Sequence, residues 1–153
     1  MKKMLCYFAI LALLCTVSVE RADVGKLRPI QTVSLSRKGE LVILRTDTGD
    51  MGAGSTALQA LSNLKATTAG IVYLDTAQFL LLAENARGDA EELREVLRDN
   101  VKLCIAEESL DPRAVTQYLA SHDILPKLKT WKPEDPLPIL KQLGERFALE
   151  SDK

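Results

Sequence analysis

The sequence predicts an α/β domain: a mixed β-sheet packed with about three to four helices, preceded by an N-terminal signal or anchor helix. Three observations predict it. Short β-branched or apolar runs alternate with segments of helical periodicity, the pattern of a layered α/β domain. Two alternating runs joined by a glycine turn stand at the start, so the sheet is mixed and not purely parallel. An uncharged run of sixteen residues behind two lysines opens the chain.

Taken in order, Met1-Lys2-Lys3 is a basic start and residues 4–19 (MLCYFAILALLCTVSV) are mostly apolar, ended by Glu20, Arg21 and Asp23. This is the layout of an export signal or anchor. The lysines hold the N-terminus inside, which sends the body outward. The expected location is extracytoplasmic, membrane-associated or secreted. Three outcomes of export fit: cleavage near Thr16-Val17-Ser18-Val19, lipidation at Cys15, or retention as an anchor somewhat shorter than the usual span of about 20 residues. Leu14 stands before Cys15, where a lipoprotein signal usually has a small residue.

Residues 30–36 (IQTVSLS) alternate as a half-buried strand, Arg37-Lys38-Gly39-Glu40 turns, and residues 41–45 (LVILR) return as its hairpin partner. Residues 46–55 read as a glycine-rich connector. Ser55 or Thr56 caps a helix to about residue 66, with Ala57, Leu58, Leu61 and Leu64 on one face and Gly70 as its stop. Residues 71–74 and 79–83 (FLLLA) are strands, the second apolar enough to be buried on both faces. Residues 89–99 form an amphipathic helix with Leu93, Val96 and Leu97 inward. Residues 101–106 are a strand, and Asp111-Pro112 starts a helix to residue 120. Three units are expected: a signal or anchor over 1–19, an α/β domain over 20–125, and over 126–153 a proline-rich strap followed by a terminal helix at 138–149.

Composition narrows the function. The chain has 46% hydrophobic and 27% charged residues and a net charge of −1, so a folded body is expected. Lys2 and Lys3 are the only charges before Glu20, which leaves the body more acidic still. Nucleic acid is therefore not an expected partner. Cys104 is the single cysteine of the body and sits among apolar neighbours as a structural thiol.

The segment Gly49-Asp50-Met51-Gly52-Ala53-Gly54-Ser55-Thr56 has the outline of a phosphate loop, but Ser55 stands where its lysine belongs, and Asp47 and Asp50 repel anions. A flexible connector is expected there. Of the acidic pairs Asp47 with Asp50, Glu91-Glu92 and Glu107-Glu108, the helical pair Glu91-Glu92 reads as a solvated charged face. His122 has no second His or Cys at ligand spacing. No catalytic residue, cofactor site or metal site is predicted, and the chain is not expected to be an enzyme. Trp131 is a candidate interface anchor in the strap; the other reading has it pack the strap onto the domain's own core.

Three stretches carry a resemblance: ERADVGKLRPIQTVSL (20–35), GDMGAGSTALQALSNLKATTAGIVYLDTAQFLLLAENA (49–86) and EELREVLRDNVKLCIAEE (91–108). Together they resemble the N-terminal domain of the Ger(x)C family, the C subunits of spore germinant receptors. Gly52-Ala53-Gly54-Ser55-Thr56, Tyr73-Leu74-Asp75-Thr76 and Leu93-Arg94 stand where that domain's helix entry, strand end and "eeLR" helix would fall. The resemblance covers about two-thirds of the chain. It implies a membrane-tethered, non-enzymatic lipoprotein candidate that works in spore germination, with the receptor A and B subunits as partners and Cys15 as the lipidation candidate. An exported module binding a small ligand or peptide, unrelated to germination, is the alternative.

Overall fold

The computed structural model describes residues 24–122 and 124–151. The expected signal or anchor, with Cys15, lies outside them. No helix among the described residues is long and apolar enough to cross a membrane.

Strand β1 (Leu27–Pro29) leads in, followed by β2 (Thr32–Lys38) and β3 (Leu41–Thr46). The turn between β2 and β3 is Gly39-Glu40, with Gly39 at φ +60°. A glycine at the first of two central positions suits a hairpin turn, because its backbone twist matches the strands. Strand β4 (Met51–Gly54) pairs antiparallel with β3, and helix α1 (Ala57–Thr67) follows. Strand β5 (Ile71–Tyr73) pairs with β1 in a separate parallel two-stranded sheet. Strands β6 (Phe79–Leu82) and β7 (Lys102–Ala106) are joined through a 3₁₀ segment at Glu84–Leu93. Helix α2 (Pro112–Ala120), strand β8 (Ile139–Leu143) and strand β9 (Arg146–Glu150) complete the chain.

The main sheet has seven strands in the order β4-β3-β2-β6-β7-β8-β9. Its centre, β2-β6-β7-β8, is parallel and both margins are antiparallel, so the sheet is mixed as the sequence implies. All four residues of β6 are buried, as expected for an apolar run covered on both faces. One face packs Val33, Leu35, Leu44, Leu80, Leu82 and Leu103 beneath α1 and the 3₁₀ segment. The other packs Phe79, Leu81 and Cys104 beneath Val115 and Leu119 of α2. Where β2 lacks apolar residues on this second face, the buried Thr32 hydroxyl meets Thr116 of α2 at 2.9 Å.

The structure corrects three expectations. The connector at 46–55 contains β4, because Gly52 and Gly54 let a strand lie directly against α1. The amphipathic helix expected at 89–99 is 3₁₀ from Glu84 to Leu93 and then turns. There Asp89 is held by Arg37 and Arg94 donates to the Trp131 carbonyl, so side-chain anchors override helical propensity. The terminal helix expected at 138–149 is the β8–β9 hairpin. Gly144, at φ +64°, opens a second Gly-Glu turn like the one at Gly39-Glu40. The α-helices therefore number two among the described residues, with the ten-residue 3₁₀ segment and two three-residue 3₁₀ turns, Val24–Lys26 and Leu74–Thr76, beside them. Beyond 125, Leu103 donates to the Pro126 carbonyl at 2.8 Å, and Leu128, Trp131 and Leu137 enter the main core.

Candidate functional site

Parallel strands deliver their carboxyl ends to one side of a sheet, where open α/β folds commonly bind ligands. Here β6 ends at Leu82, just before Ala83, and β7 at Ala106, just before Glu107. A cavity of about 380 Å³ lies there, lined among others by Ala83, Asn85, Ile105, Glu107, Ile139 and Lys141. That volume falls in the range of small-molecule sites. Its floor is apolar, and its rim carries the exposed carboxylates Glu84, Glu107 and Glu108 and the ammonium of Lys141.

Asn85 fixes this rim. Its side-chain amide donates to the Arg37 carbonyl and to Glu108 Oε1, each at 2.7 Å, and its oxygen accepts the Arg37 N–H at 3.3 Å. The end of β2 is thereby tied to the loop after β7. The Arg37 guanidinium forms a two-pronged ion pair with Asp89, whose hydrogen bond holds its pKa above the usual arginine value. Arg45 reaches the Glu108 carbonyl at 3.4 Å. The arrangement offers carboxylates and one ammonium around an apolar floor, a set suited to holding a ligand, with the Asn85 amide spent on fixing the rim. Sequence reasoning passed over Asn85, Arg37 and Asp89. The available signal was position: Asn85 comes just after the doubly buried run FLLLA, at the strand's carboxyl end.

A second hollow, of about 320 Å³, separates the β3–β4 turn from the start of α2. Of its charged lining residues, Asp50, Asp111 and Arg113 are already in ion pairs. Arg28 bonds Asp50 at 3.1 Å and Arg113 bonds Asp111 at 3.0 Å. The Arg113 hydrogen bond lowers the Asp111 pKa and raises that of Arg113. Asp111 also caps α2 by accepting the Arg113 N–H.

Asp47 and Asp50 do not converge on a common centre. Asp47 accepts the Gln31 N–H at 3.1 Å, and burial pushes its pKa up. Asp50 accepts from Thr48 Oγ1 at 2.7 Å and closes the turn. Among the described residues no cluster of His, Cys, Asp and Glu has the form of a metal site.

The glycine-rich segment is a packing surface. A Cβ at Gly52 would stand 2.2 Å from the Ala60 carbonyl oxygen, and one at Gly54 2.6 Å from the Ala60 nitrogen. At the start of α1, Thr56 accepts the Gln59 N–H, Gln59 Oε1 accepts from Ser55, and Glu92 accepts the Leu58 N–H at 3.2 Å. A carboxylate of the chain itself thus holds the place an anion would take.

The other residues singled out from the sequence lie apart. His122, at the end of α2, has Nδ1 2.8 Å from the Tyr118 carbonyl, with the rings 4.2 Å apart. Cys104 is buried, which pushes its thiol pKa up to about 12. Trp131 is only 2% exposed and its Nε1 donates to the Asp135 carbonyl at 3.2 Å, so its indole packs the strap onto the chain's own core. Compared with protein-family models, with curated proteins and with solved structures, the chain finds no match.

Proposed function

We propose that the chain is an exported, membrane-associated, non-enzymatic protein that acts in spore germination through protein partners, as a relative of the germinant receptor C subunits. The observation that carries this reading is the ordered resemblance over residues 20–35, 49–86 and 91–108. The fold is compatible with it. The described parts of the three stretches supply β1 and most of β2, then β4, α1, β5 and β6, then the end of the 3₁₀ segment and β7, which pack on one another. The Gly-Ala-Gly-Ser-Thr motif has a physical role in this arrangement, seating α1 on β4.

The expected partners are the membrane and the receptor A and B subunits. Deleting the gene should slow or alter nutrient-triggered germination and leave vegetative growth intact, and a tagged chain should co-purify with those subunits from sporulating membranes. Normal germination in the deletion strain would refute the reading. The cavity at the carboxyl ends of β6 and β7 favours a second reading, an exported module that binds a small ligand or peptide. Glu107→Ala separates the two: it leaves germination near wild type under the first and abolishes ligand binding under the second.

A further inference from the structure

We infer that β9 is a self-association edge, and that two copies of this chain join antiparallel through it about a two-fold axis at Ala148. The inference stands apart from the function proposed above, because it rests on the hairpin's geometry alone.

Strand β9 is the last of the seven, and among the described residues nothing pairs with its outer edge. The register with β8 sets which backbone groups point outward. A two-residue turn at Gly144-Glu145 makes Leu143 and Arg146 a hydrogen-bonded pair, so Lys141–Ala148 and Ile139–Glu150 are hydrogen-bonded too. Arg146, Ala148 and Glu150 therefore spend their N–H and C=O groups on β8. Those of Phe147 and Leu149 face outward.

The sequence Arg146-Phe147-Ala148-Leu149-Glu150 is complementary to itself when reversed. With the axis at Ala148, Phe147 of one copy stands opposite Leu149 of the other. These are the two residues with free groups, so both outer pairs hydrogen-bond. Ala148 then meets its own counterpart in a pair without hydrogen bonds, where side chains approach closest and a methyl group fits. Arg146 stands opposite Glu150 of the second copy, and the reverse pair repeats it on the other side of the axis. Glu150 already bonds Lys141 at 2.6 Å within its own hairpin, so the new contact places it between two cations.

Charged residues commonly protect an edge against pairing. Here the opposite signs sit at positions that attract when the axis lies at Ala148. A slip of two residues that moves the axis to Phe147 sets Arg146 against Ala148 and loses both pairs. Beside the edge, Ile124 is 95% exposed and lines a hollow of about 200 Å³ with Leu149 and Glu150, which adds an apolar flank to the contact. A two-fold axis makes the interface isologous and closed, so association stops at two copies.

The test is sedimentation of the full chain in mild detergent across a concentration series, with circular dichroism as the control for folding. The parent should show a concentration-dependent dimer. Arg146→Glu and Glu150→Arg should each remain folded and each weaken self-association by about tenfold or more, because both cross-axis pairs become like-charged. Mixing the two variants should restore the dimer, since each copy then offers the sign the other needs at both positions. A parent chain that stays monomeric overturns the inference. So does a dimer that both variants leave unchanged, as expected if residues 1–23 carry the association, and so does a mixture that fails to recover it.

Discussion

Replacing Gly52 by alanine tests the seating of α1 on β4. The added Cβ would lie 2.2 Å from the Ala60 carbonyl oxygen and 2.6 Å from both Cβ and N of Leu64. Two of these three atoms are backbone, so a side-chain rotation cannot relieve the overlap. The helix must lift by about 1 Å to regain ordinary contact, and a gap of that size forfeits up to half of each dispersion contact beneath it. Ala57, Ala60, Leu61 and Leu64 are the buried residues of that face. Overpacking of this kind costs about 3 kcal/mol, a large share of a small domain's stability of roughly 5–15 kcal/mol.

Urea unfolding followed by Trp131 fluorescence measures the loss. With a typical dependence of about 2 kcal/mol per molar urea, the midpoint should fall by about 1.5 M. Gly88→Ala is the control, because nothing lies within 4 Å of its Cβ position; its midpoint should move by less than about 0.3 M. If Gly52→Ala unfolds within that same margin of the parent, the helix does not rest on these glycines and the argument fails.

Three further outcomes are expected. Cys104, buried and with its thiol pKa pushed to about 12, should resist iodoacetamide at neutral pH in the folded protein and react once urea unfolds it, as mass spectrometry would show. Trp131 is the single tryptophan and is buried, so emission should be blue-shifted and poorly quenched by iodide, while Trp131→Phe should lose the signal and cost about 2 kcal/mol of stability. Burial raises the Asp47 pKa in the folded state, so the folded chain binds the proton more tightly than the unfolded one. Its contribution is present below the pKa of an ordinary aspartate and declines as pH rises through the raised folded value; urea midpoints of Asp47→Asn, compared with the parent, should lack this decline.

The sequence carried the central strands well, because β6 and β7 are short apolar runs that only a doubly covered sheet accommodates. The β2–β3 hairpin was equally legible, since Gly39-Glu40 divides two alternating segments. The same dipeptide at Gly144-Glu145 went unread. Ile139, Leu140, Leu143 and Phe147 fall at spacings of one, three and four, so helical periodicity masked a turn that Gly144 alone marks. At 84–99 the apolar positions Ala86, Ala90, Leu93 and Leu97 recur at helical intervals, and only the tertiary anchors of Asp89 and Arg94 decide for 3₁₀ geometry. Strand β4 was hidden for a different reason. Gly52 and Gly54 read as flexibility in one dimension, yet in three dimensions they permit contact. The rim of the cavity was invisible, because Asn85, Arg37 and Glu108 come from three separate elements and the sequence does not announce their convergence.

The division of the main sheet into an antiparallel margin and a parallel centre has a kinetic consequence. Strands β2, β3 and β4 and helix α1 follow one another through short connections, so their contacts close small loops and form at little entropic cost. The parallel pairing of Val33 with Leu80 and of Leu80 with Leu103 must instead await intervening chain. Local contacts speed folding and distant ones slow it. The meander of β2, β3 and β4 with α1 is thus the natural nucleus, onto which β6, β7 and finally the β8–β9 hairpin add. Substitutions at Leu44 or Leu64 should therefore retard refolding, whereas those at Leu140 or Phe147 should mainly hasten unfolding.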